Sequence, residues 1–170
     1  GGVQTPGETM TESQLLMDEV QATVEIAHNK GKRVAVHAGG PAGIKTAIRA
    51  GVDCIEHGYY LDDESVELMA ENDLYYVPTL AVTQYEPFME ASGMADYQLE
   101  KARGAMQAHR EGFQKAVKAG VKIVSGADLA PISKLGLVEI EQLVRAGMSE
   151  MQALIAATRN AADLCEVLDQ

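Results

Sequence analysis

Arg33-Val34-Ala35-Val36-His37-Ala38 is the stretch from which the fold is read. It is a short apolar run rich in β-branched residues, entered from a glycine turn at Gly31, and it predicts a buried β-strand. The run ends in a histidine followed by Gly39-Gly40. The same pattern returns in Gly51-Val52-Asp53-Cys54-Ile55-Glu56-His57-Gly58, where a strand again delivers a histidine six residues after its glycine. Two apolar strands that each end on an imidazole point to parallel neighbours whose C-terminal ends bring both histidines into one site.

Working outward, a first helix is expected from near Thr11, because Thr11 and Gln14 have the spacing of a capping box and Leu16, Val20, Val24 and Ala27 form an apolar stripe. Gly31 stops it, leaving His28 as an exposed cation near its C-terminus. A short helix through Ile44, Ala47 and Ile48 stops at Gly51, and Asp62-Asp63-Glu64 opens another with acids in its first turn. The third strand begins Tyr75-Tyr76-Val77 and should end at Pro78, which removes a ladder donor. Ala81 to Asp96 has no clear period; a long helix then runs to Ala119, with Phe113, Ala116 and Val117 inward and His109 on the surface. Gly120 to Asp128 reads as the fourth strand and its exit, Leu137 to Ala146 as helix, Ser149 with Gln152 as a cap, and Asn160 to about Leu168 as a last helix. Glycine stops precede three of the four strands (Gly31, Gly51, Gly120), and Asn72-Asp73 precedes the other. The order is that of an α/β array with parallel strands. Four such units make a small open sheet or half of an eight-fold barrel, whose sites sit at the strand C-termini.

Composition sets outer bounds. A chain of 170 residues, 46% hydrophobic, is one domain or part of one. A net charge of −11 argues against nucleic acid as partner, and no apolar run approaches a membrane span. Two cysteines make no disulfide framework; Cys54 is expected in the core, and a reducing, cytoplasmic setting is the expectation. Gly1 to Gly7 reads as a loop without a leading methionine, as expected of a processed chain or a piece of a longer one.

The ordered set Val36-His37-Ala38, Ala50-Gly51-Val52-Asp53, Ile55-Glu56-His57-Gly58, Val77-Pro78-Thr79-Leu80, Gly126-Ala127-Asp128, Ala146-Gly147-Met148 and Ala156-Ala157-Thr158-Arg159-Asn160-Ala161-Ala162 closely resembles the amidohydrolase superfamily, in its imidazolonepropionase-like and prolidase-type dipeptidase branch. The resemblance implies a TIM-like (β/α)₈ barrel to which residues 1–170 contribute strands five to eight, the C-terminal half. Strands one to four and the β-sandwich domain would lie outside this chain. By motif, His37 and His57 would be metal ligands of strands five and six. Asp128 would be the strand-eight carboxylate that touches metal and takes a proton from the attacking water.

The implied cofactor is a divalent metal, zinc above all, one or two in a complete parent, and neutral imidazoles suit zinc. The implied activity is hydrolysis of an amide, peptide or related bond in a small-molecule or dipeptide-like substrate, with the 170 residues alone inactive. Tyr60, or its neighbour Tyr59, is expected to line the pocket, and Gln84 to Ala95 to form a lid or wall. Glu56 should face away from His57 and be structural. The chain departs from the pattern at Gly39, where relatives often carry His or Tyr, at Ala127, where Thr is usual, and at Leu135-Gly136, where His-Gly is frequent. A non-catalytic half-barrel scaffold is the alternative from another class. A metal-free barrel isomerase or aldolase lacks its phosphate loop and strand-end lysine here. Unpaired sheet edges predict a homo-oligomer or association with the missing half.

Overall fold

The computed structural model describes residues 1–91, 93–128 and 132–168. Its elements run α1 (Met17–His28), β1 (Ala35–Ala38), α2 (Pro41–Ala50), β2 (Cys54–His57), α3 (Asp63–Glu71), β3 (Tyr75–Val77), α4 (Ala81–Gln84), α5 (Glu86–Ala91), α6 (Asp96–Lys118), β4 (Lys122–Ile123), α7 (Ile132–Arg145), α8 (Glu150–Ala157) and α9 (Arg159–Leu164). The strands form one parallel sheet in the order β1-β2-β3-β4. This is the α/β array expected from the glycine-punctuated apolar runs, except that β1, expected buried, is an edge strand with Ala35 and His37 exposed.

Local chemistry accounts for the boundaries. Gly51 ends α2 in the left-handed region at φ 91°, where a Cβ is disfavoured. Asp62 caps α3 by accepting from Ser65 N, and Ser149 caps α8 by accepting from Gln152 N. β3 ends at Val77, just before Pro78.

Boundaries depart from expectation in places: α7 begins at Ile132 rather than Leu137, α9 ends at Leu164 rather than near Leu168, and the first helix departs furthest. The first helix starts at Met17, not near Thr11, and the Glu19 carboxylate accepts from Leu16 N at 2.8 Å. Thr11 serves tertiary packing instead. A Cβ on Gly40 would come within 2.6 Å of Thr11 Cα, and one on Gly39 within 2.1 Å of the Met10 carbonyl oxygen. The Met10-Thr11 backbone therefore lies flush on the glycine pair that follows β1, and a helix begun there would lift it away.

The main core lies between the sheet and its helices. Ile55, Tyr76 and Ile123 from the strands meet Ile44, Ile48, Val66, Met69, Phe113 and Leu143 from α2, α3, α6 and α7. The other sheet face carries Cys54, Tyr75, Val77 and Val124. Register places His37 beside Glu56 and Glu56 beside Val77, so Glu56 shares this second face with His37. A smaller cluster of Val3, Met10, Tyr59, Val82, Met89, Ala102 and Ala105 covers the C-terminal end of the strands.

Candidate active site

The chain leaves the sheet under strain. Among the described residues, His57 (φ 71°), Thr79 (φ 52°) and Asp128 (φ 52°) are non-glycine residues in the left-handed region. His57 closes β2, Thr79 lies two residues past β3 and Asp128 five past β4. Such backbone costs on the order of 1–3 kcal/mol per residue, more readily borne where a side chain must be aimed, and Thr is poorly suited to it.

His57 is the anchor. It is buried, and its Nδ1 lies 2.8 Å from Thr79 Oγ1. Tyr76 donates its hydroxyl hydrogen to the His57 carbonyl at 2.9 Å. Tyr59 stacks on the imidazole with centroids 5.2 Å apart. Burial first, then the neighbouring His37 and His109 rings, pull the His57 pKa down to about 3, so the ring is neutral at physiological pH. The His37 ring stands edge-on to it at 4.4 Å between centroids. Two parallel strands thus do bring their terminal histidines together.

His37 is also engaged by the chain's first residues. Its Nε2 donates to the Gly1 carbonyl at 2.9 Å, since a carbonyl only accepts. A cavity of about 210 Å³ is lined by Gly1 to Thr5, Glu8, Gln14, His37, Tyr59, Val82 and Asp128. Asp128 is exposed there, and its charge acts on Tyr59 and Glu56. Tyr59, 2% exposed, is the tyrosine on the cavity wall, while Tyr60 packs against the smaller cluster. Burial pushes the Tyr59 hydroxyl pKa up, so it is a hydrogen-bond donor rather than an anion. At Gly39, the Met10 carbonyl and the Tyr59 ring occupy the space a side chain would need.

Two site neighbours escaped the sequence reading. His109, expected on the surface, is 0% exposed: its Nδ1 lies 2.7 Å from Thr83 Oγ1 and its ring meets Tyr59 edge-on at 5.1 Å. The signal was present, for His109 falls on the inward stripe Ala102, Ala105, His109, Gly112, Phe113, Ala116. Burial lowers its pKa to about 4, opposed in part by the His57 and Pro78 carbonyls. Glu139 of α7, fully buried, accepts from Leu80 N at 2.8 Å and from Ala81 N at 2.7 Å. Its pKa rises to about 7 because burial outweighs those two hydrogen bonds. The segment expected as a lid holds α5 over Glu86–Ala91, with Met89 in the smaller cluster; Ser92 lies outside the described residues.

As a metal site the donor set is half built. The neutral, oriented His57 and the adjoining His37 have the chemistry of two zinc ligands. Among the described residues, however, no group of three His, Cys, Asp or Glu side chains is close enough to hold an ion. The imidazole pair fits a metal; further ligands would have to come from elsewhere, and Gly1 would have to release His37 Nε2.

The parallel α/β fold has relatives of known structure. The chain belongs to the amidohydrolase family, whose family model matches residues 6–169. It is 34% identical over 161 residues to ochratoxinase of Aspergillus niger, covering 95% of this chain and 34% of that enzyme. The crystal structure of A. niger ochratoxinase superposes with a TM-score of 0.85 at 35% identity, over 96% of this chain and 37% of that one. A Xaa-Pro dipeptidase with methionine bound in its active site gives 0.82 at 38% identity, over 94% and 40%. A prolidase complexed with N-methylphosphonate-L-proline gives 0.87 at 30% identity, over 100% and 42%. The chain therefore spans about a third of the length of the Aspergillus niger ochratoxinase. Its four parallel strands correspond to part of an amidohydrolase TIM barrel. Among the described residues no helix is long and apolar enough to cross a membrane.

Proposed function

We propose that this chain supplies strands five to eight of a metal-dependent amidohydrolase that cleaves an amide or peptide bond in a small, dipeptide-like substrate. The observation that carries the reading is the edge-on pairing of His37 and His57 at two adjacent strand exits. The dipeptidase and prolidase among its relatives favour a dipeptide or an acylated amino acid as substrate.

His37 and His57 would hold the metal, zinc by preference for a set of neutral imidazoles. What a divalent metal supplies, when bound, is an acidified water and a polarised carbonyl. Thr79 fixes the orientation of the His57 ring by bonding its Nδ1. Asp128, exposed at the cavity rim, accepts a proton from water and returns it to the leaving amine. Tyr59 offers a neutral hydroxyl on the same wall, in the region where Gly39 provides no side chain. The 170 residues alone bind metal weakly at most and do not hydrolyse substrate, because the remaining ligands and half the loops come from other parts of the barrel.

The test is to assay the intact protein on a panel of dipeptides and acylated amino acids before and after chelation. Turnover that disappears with chelator and returns with zinc is expected. Turnover indifferent to chelation overturns the metal reading, and a folded, metal-loaded protein without turnover on the panel favours a scaffold.

A further inference from the structure

The strained exit of β3 raises a question that the metal ligands do not answer: what holds Thr79, a β-branched residue, at φ 52°? Thr79 is 2% exposed and its hydroxyl lies 2.8 Å from His57 Nδ1. It lies between elements, since β3 has ended at Val77 and α4 begins only at Ala81, and α4 reaches it through Val82 N, which donates to the Thr79 carbonyl at 3.1 Å. The fixing group comes from far along the chain. Glu139, on α7, reaches across and accepts Leu80 N with one carboxylate oxygen and Ala81 N with the other. Those two N–H groups are the first after Thr79. A buried carboxylate bonded in this way pins both peptide planes at once and leaves Thr79 little freedom to relax toward ordinary backbone.

We propose that Glu139 is a positioning residue for His57, acting through the Leu80-Ala81 turn to hold Thr79 in its strained backbone and so to fix the orientation and tautomer of the His57 ring. The inference rests on the reading of His57 as a site residue, but its test needs neither metal nor turnover. Glu139 touches neither His57 nor the cavity. Its role is to make one ring orientation the only one available before any ligand arrives. Other groups also hold His57: Tyr76 bonds its carbonyl and Tyr59 stacks on its face, but neither reaches Nδ1. Among the described residues the Thr79 hydroxyl is the hydrogen-bond partner of that nitrogen, and because the Tyr59 hydroxyl donates to Thr79, the Thr79 hydrogen is left to go to Nδ1 and to favour the Nε2–H tautomer.

The readout is the ring-nitrogen spectrum of His57 in the intact, metal-free protein labelled with ¹⁵N-histidine, assigned through its loss in His57→Gln. The wild type is expected to show one neutral tautomer in about tenfold excess, the bias that one net hydrogen bond provides. Glu139→Gln keeps the shape but turns an amide NH₂ toward one of the two N–H donors. It should bring the tautomer ratio to within about threefold of unity. Thr79→Val, which removes the hydroxyl and keeps the branching, should do the same. The double variant should go no further than either single one, since both act through one bond. If Glu139→Gln folds and the His57 ratio stays at its wild-type value, the proposal is wrong. If Glu139→Gln does not fold, Glu139→Asp is read in its place, with the same expected loss of bias. Should neither Glu139 variant fold while Thr79→Val does, the carboxylate serves the fold as a whole and the proposal is again overturned. A metal-free or inactive wild type with a locked His57 ring would leave this inference standing while removing the hydrolase reading.

Discussion

Acidification should loosen this protein through His109, and the size of the effect follows from its surroundings. The ring is fully buried, with Thr83 at Nδ1, the Tyr59 ring against its edge and, among the described residues, no hydrogen-bond partner of good geometry at Nε2. Among the described residues no carboxylate bonds the ring to welcome a proton, and burial lowers the pKa from 6.5 to about 4. The unfolded chain therefore binds a proton more readily than the fold does. Stability from this group is fully present above pH 6.5 and is lost as pH falls toward 4. A shift of about two and a half units corresponds to about 3 kcal/mol, a large share of the 5–15 kcal/mol typical of a domain.

The assay is urea unfolding at steps from pH 7 to pH 4, comparing wild type with His109→Gln, which keeps a hydrogen-bonding group near Thr83 and cannot titrate. The variant should start lower at pH 7, because the ring's packing is lost, but its profile should be flatter by about 3 kcal/mol over that range. His57 is depressed in both proteins, first by burial, so most of its contribution cancels in the difference; only the smaller push from the His109 ring is lost in the variant. Glu139, whose folded pKa is raised to about 7, acts in the opposite sense. Its contribution is present below pH 4.5 and is lost as pH rises through 7, in wild type and variant alike. Parallel pH profiles would refute the reasoning.

Three further outcomes are expected. Gly112→Ala should destabilise by about 1–3 kcal/mol in urea unfolding, because its Cβ would lie 2.9 Å from Leu61 Cβ where α6 crosses the loop before α3. Asp128→Asn in the intact protein should lower turnover by roughly 10²–10⁴ while most of the metal stays bound; parental turnover would remove Asp128 from the chemistry. The 170 residues expressed alone should associate through the open edges of β1 and β4, and a clean monomer at high concentration in sedimentation would contradict this.

Much of this was legible because strands and turns announce themselves locally. Apolar runs entered from Gly31, Gly51 and Gly120 became β1, β2 and β4, Pro78 ended β3, and the Ser149–Gln152 box opened α8 where its spacing placed it. His37 and His57 stood out because each closes such a run, and they do meet. What stayed hidden depends on contacts between distant segments. Thr11 and Gln14 had the spacing of a cap, yet the Met10-Thr11 backbone is held against Gly39 and Gly40, which only the folded chain reveals. His109 looked polar and therefore external, but a long helix flanked by Thr83 and Tyr59 can bury an imidazole that has a partner. Glu139 gave no sign of its role, because its partners are backbone N–H groups 59 and 58 residues earlier in the chain.

The central claim, that His37 and His57 are ligands of one catalytic metal, is tested most directly by measuring metal content in the intact protein and in its His37→Ala and His57→Ala variants. Each substitution removes one imidazole from a pair whose rings stand 4.4 Å apart. The account predicts that bound metal per chain and turnover fall together in both variants while each stays folded. Metal content unchanged in both would contradict it.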